Sequence, residues 1–112
     1  MSDGLFIDDG YTQTRTVPAV AGLHPDLAVV FRPALARERH AYRQRLAVPD
    51  PAVIDAHEAD LIARHTVSVN GAPLDRAKVD RLKPAVRALL VDLILGYTPA
   101  DEARDAGNSR SG

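Results

Sequence analysis

The spacing of apolar and polar residues changes period along this chain, and each change marks an element. From Tyr11 to Val17, threonines fall at positions 12, 14 and 16. A period of two places them on one face of a strand, and their β-branched side chains favour that conformation. Pro18 ends this strand, and Gly22 with His24-Pro25-Asp26 reads as a loop. Leu27, Val29 and Phe31 then alternate with Ala28, Val30 and Arg32, which predicts a second strand with one wholly apolar face. The two strands pair most simply as a long-looped antiparallel hairpin, and a hairpin alone is marginal in water, so helices must cover it.

After Phe31 the period lengthens to that of helices. Arg32-Pro33 opens a first helix to about Ala47, with a narrow apolar stripe of Leu35, Tyr42 and Leu46. Pro49-Asp50-Pro51 breaks the chain, with Asp50 suited to an N-cap and Pro51 to the first helical position. Ile54, Leu61, Ile62, His65 and Val69 share a face, predicting a second helix to about Val69, and Glu58 sits within that face. Asn70-Gly71 is the expected helix stop; a small hairpin from Val67 to Leu74 around the same dipeptide is the alternative. Asp75 caps a short helix to Leu82.

Lys83 to Gly96 is the most apolar segment. Pro84 suits its first position and Gly96 the residue past its end. Leu82, Val86, Leu89, Leu90 and Leu93 form one stripe, while Val91 and Leu95 point away from it. A helix apolar on nearly all sides is central to its domain or shared with a partner. The expected architecture is α+β: an N-terminal antiparallel β-hairpin packed on a small bundle of three to four α-helices. One domain covers residues 1–96, and 97–112 form a flexible polar tail. Leu5-Phe6-Ile7 has the apolar character to dock on the core or add a short strand.

Composition narrows the function. An aromatic content of 4% with no Trp makes the core aliphatic, and a net charge of −1 gives no overall pull toward nucleic acid or anionic membrane. Without cysteine there is no disulfide, thiolate metal site or cysteine nucleophile. No apolar run approaches the roughly 18 residues of a membrane span, and the acidic N-terminus lacks the basic start of a secretory signal. The expected location is the cytoplasm.

Charge is nonetheless segregated. Five arginines against Glu38 give residues 32–49 a local charge of +4, and four acids against Arg64 give residues 50–72 a charge of −3. Pairing between the first two helices is the simplest use of these charges. The arginines themselves read first as a solvated face whose stems cover apolar surface, with a basic docking surface as the alternative.

No catalytic pattern stands out. His57-Glu58-Ala59-Asp60-Leu61 begins like a zinc-protease helix but has leucine where the second histidine belongs. His57 and His65 are too far apart on one helix to meet at a metal. Gly-x-Ser-x-Gly, Gly-x-Gly-x-x-Gly and the Walker loop are absent. The expectation is a protein that is not an enzyme and uses no cofactor or metal. Nucleic-acid binding would rest on the arginines at 37–45 with Tyr42 as the one interleaved aromatic, and no stacking platform is evident.

The order of features resembles the tail assembly chaperones of tailed bacteriophages over roughly residues 10–96. The residues concerned are a Thr-rich strand ending Val17-Pro18-Ala19, the loop Gly22-Leu23-His24-Pro25-Asp26-Leu27, and Phe31-Arg32-Pro33 before an Arg-rich helix. Then follow His65-Thr66-Val67-Ser68-Val69, Gly71-x-Pro73, and a Leu82-x-Pro84 kink into an aliphatic helix closed by Gly96. The resemblance implies a non-enzymatic assembly factor that binds the helical tape-measure protein, keeps it soluble and helps recruit tail-tube subunits. It implies a cytoplasmic location in the bacterial host and absence from the mature particle. The alternatives are a structural virion component of the neck or tail and a small nucleic-acid-binding protein. Arg39, Tyr42 and Arg43 on the basic helix, and Val91, Asp92 and Leu95 on the off-face of the last helix, are the expected partner-binding residues. The second group is also the candidate for homo-oligomer contact.

Overall fold

A computed structural model describes Ile7, residues 10–97 and the backbone of 101–102. The expected folding-back of Leu5-Phe6-Ile7 lies outside the described residues except for Ile7, which is exposed. The fold is α+β. Strands β1 (Gln13–Val17) and β2 (Leu27–Phe31) form the antiparallel hairpin, with Val17 opposite Leu27 and Gln13 opposite Phe31. Leu27, Val29 and Phe31 are buried, as their alternation requires, and the threonine face carries Thr14 and Thr16 opposite Val30 and Ala28.

Helices α1 (Ala36–Leu46) and α2 (Pro51–His65) follow, then strand β3 (Thr66–Val69), the single turn α3 (Arg76–Val79), and α4 (Pro84–Leu95). A two-residue strand β4 (Asp101–Glu102) pairs with Gln13 and Thr14. The sheet order is β3-β2-β1-β4. Part of the segment expected to be a polar tail therefore pairs its backbone with the sheet; the rest of that segment beyond Tyr97 lies outside the described residues.

The short helix α3 ends at Val79 rather than Leu82, and three further segments differ from expectation. The first helix begins at Ala36 rather than Arg32, because residues 32–34 are committed elsewhere: Arg32 N donates to His65 O at 2.7 Å and Ala34 N to Ile94 O at 2.9 Å. Leucine cannot cap the helix at position 35, but Glu38 Oε1 accepts from Leu35 N at 2.8 Å, half of a capping box. The second helix ends at His65, four residues before Val69, and Thr66-Val67-Ser68-Val69 becomes a third strand beside β2. Three of those four residues are β-branched, and the open edge of β2 supplies them with backbone partners.

The third difference is the turn. Asn70 and Gly71 have φ of +53° and +82°, and Val69 bridges Ala72 across them. This is the hairpin use of Asn-Gly, not a helix stop. Asn70 also grips β2: its Oδ1 accepts from Ala28 N at 2.7 Å and its Nδ2 donates to Asp26 O at 3.1 Å.

The last helix ends as the sequence requires. Gly96 adopts φ +82°, and Tyr97 N reaches Asp92 O at 2.8 Å in a Schellman closure. Val86, Leu90, Leu93, Ile94 and Leu95 are buried with Phe31, Ile62 and Val79 in one mainly aliphatic core.

Candidate functional site

The expected partner face on α4 is not open. Leu95 is 4% exposed and belongs to the core, and Val91 is half-buried against that core. Of that trio only Asp92 is exposed. The helix is surrounded more completely than a single stripe suggested. It packs on α2, its Ile94 carbonyl accepts from the β2–α1 connection, and Leu89 and Leu93 line a shallow groove with Arg15 and Val17 of β1.

Arg87 shows how α4 meets α2. It is 8% exposed on a helix read as aliphatic. Its Nε lies 2.8 Å from Glu58 Oε1 and its Nη2 3.2 Å from Asp55 Oδ1, and Nη2 also donates to the Asp55 carbonyl at 3.1 Å. The Nε–H does not point along the Glu58 line, so that contact is an ion pair without a hydrogen bond. The acids of α2 thus turn toward α4 or stay within α2, where Asp60 pairs with Arg64 at 3.4 Å; the expected pairing with α1 arginines is replaced. The only signal in the sequence was Glu58 standing inside an apolar stripe, which demands a cation from another element.

Of the α1 group, Tyr42 is buried, and burial first, then the nearby Glu58 charge, push its phenol up from the ordinary 10.0 to about 12. Arg39 Nη1 donates to Ala34 O at 3.1 Å. Arg43 donates from Nε and Nη2 to Tyr97 Oη at 3.1 and 2.9 Å, and its guanidinium stands 5.7 Å from the centre of that ring. Both arginines thus hold contacts within the fold, Arg43 at an exposed position and Arg39 at a half-buried one, while other side chains of the same helix face a cleft.

Those others line a cleft of about 310 Å³ between α1 and α2. Arg37, Ala41 and Arg45 form one wall; His57, Asp60 and Arg64 face them, and the buried Tyr42 and Leu61 also line it. A second cleft of about 330 Å³, with Tyr11, Arg32 and Leu35 in its wall, shares Glu38, Arg64 and His65 with the first. Between the two, His65 Nδ1 stands 3.0 Å from Arg32 O and must carry the hydrogen, since a carbonyl only accepts. Its Nε2 is 3.6 Å from Glu38 Oε2.

The remaining histidines do not join this site: His24 Nδ1 is 2.7 Å from Pro25 O, and His40 is exposed. Among the described residues no three metal-capable side chains converge, and no helix is long and apolar enough to cross a membrane. No protein-family model, curated protein or solved structure matches this chain.

Proposed function

We infer that this protein is a non-enzymatic assembly factor, a tail assembly chaperone of a tailed bacteriophage that holds the helical tape-measure protein during tail-tube assembly in the host cytoplasm. The observation that supports a binding role is the α1–α2 cleft, with apolar side chains at its base and arginines on its rim. Such a concave mixed surface suits a helical client, in the manner of helix-in-groove recognition. The phage assignment rests on the order of sequence motifs from the Thr-rich strand to Gly96.

The genetic test is direct. The gene should lie just upstream of a very long gene encoding a helical tape-measure protein, and a setting with no phage genes nearby would sink the assignment. Mass spectrometry of purified particles separates the chaperone from a structural neck or tail component, since the chaperone should be absent from them.

A further inference from the structure

We propose that the α1–α2 cleft docks one amphipathic helix of a partner protein, which presents an apolar anchor residue with an acidic residue one turn before it and another one turn after. The partner is identified by that pattern, and its identity as a tape-measure segment rests on the function inferred above.

The pattern follows from the cleft's wall. Arg37, Ala41 and Arg45 stand at successive intervals of four residues along α1 and line the same cleft. Their charges are therefore separated along the axis by about 12 Å, eight residues at 1.5 Å each. Between them Ala41 has a side chain small enough to admit a neighbour's, and behind it Tyr42 and Leu61 offer apolar surface. A helix lying along α1 with acids four residues either side of a leucine has the same separation, so both acids meet arginine when the leucine sits over Ala41.

Charge supports an acidic occupant. The cleft's own acids are already engaged: Glu38 accepts from Leu35 N and faces His65, and Asp60 pairs with Arg64. Arg37 and Arg45 are exposed, and among the described residues neither makes an ion pair. A volume of about 310 Å³ accepts an anchoring side chain, while the flanking acids lie on the rim. A second copy of this chain does not offer the motif. Its Asp50, Ile54 and Glu58 have the spacing, but Asp50 caps α2 through Ala52 N and Glu58 is held by Arg87.

The test uses the full chain and two labelled, helix-stapled peptides on a neutral background. One has the core Glu-x-x-x-Leu-x-x-x-Glu and the other replaces both glutamates with lysine. Fluorescence anisotropy should show the acidic peptide binding more tightly. Arg37→Glu with Arg45→Glu, both at exposed positions, should weaken it by about tenfold and reverse the preference, as expected when two rim pairs become repulsive. Circular dichroism checks that the double variant folds, and Ala41→Leu, which takes up the space over Ala41 where the anchor sits, should also weaken the acidic peptide.

Equal binding of the two peptides, binding of neither, or an unchanged affinity in the double variant would overturn the proposal. So would a dimer in sedimentation that the double variant dissolves, because the occupant would then be a second copy. Retention of the tape-measure protein by the double variant overturns this site but leaves the chaperone reading standing. Arginine-dependent binding of the acidic peptide without tape-measure binding does the reverse.

Discussion

Arg87 places its Nε 2.8 Å from Glu58 Oε1, tying the first turn of α4 to the middle of α2 inside the fold. The arginine side chain is 10% exposed and the glutamate 27%. Removing one partner leaves the other charge poorly solvated, whereas removing both leaves an apolar seam. Arg87→Ala should therefore cost about 3 kcal/mol in urea unfolding, the low end for a broken buried pair because Glu58 keeps some water. Arg87→Met combined with Glu58→Leu should cost less than either single change, and a double variant worse than both would refute this account of the pair.

Leu95 gives the sharpest contrast between a docking residue and a core residue. Its side chain is buried, so Leu95→Asp forces a carboxylate among aliphatic groups. The expected loss is about 4 kcal/mol of stability, seen as a lowered midpoint in denaturant. Normal stability combined with a specific loss of binding would instead restore an open face on α4.

Asn70 combines a left-handed backbone with two side-chain bonds into the β2 region. Asn70→Ala loses the bonds and strains the backbone, for about 2 kcal/mol. Asn70→Gly loses the bonds but accepts the conformation, for about 1 kcal/mol. Thermal unfolding should rank the wild type above the glycine variant and the glycine variant above the alanine one.

Tyr42 links burial to pH. Its phenol ionises near 12 in the fold against 10.0 ordinarily, so between those values the folded state holds the proton more tightly than the unfolded state. Stability is then fully present below pH 10 and falls as pH rises toward 12. Tyr42→Phe should flatten that part of the stability profile. A phenolate difference spectrum between the two proteins should develop near 12, and a transition near 10 would contradict the burial argument.

Local chemistry made much of the fold legible. Pro84 and Gly96 mark the ends of α4, Asp50 caps α2, and the Leu27-Val29-Phe31 alternation selects the buried face of β2, because each depends on neighbours within a few positions. The strand at Thr66–Val69 is not legible locally, because the apolar period of α2 continues through Val69 and only the distant edge of β2 makes a strand the better state. Arg87 was missed for the same reason: its carboxylates come from a helix 29 and 32 residues earlier. At the candidate site, the basic character of α1 was visible. Which arginines face the cleft and which fasten α1 depends on where Ala34 and Tyr97 come to lie.

Co-expression with the helical tape-measure protein that the proposed function predicts just downstream of this gene tests the central claim most directly. The account predicts that this protein is soluble and co-elutes with the chain on size exclusion, and that it is insoluble when expressed alone. Equal solubility with and without the chain, and no shared peak, would contradict it.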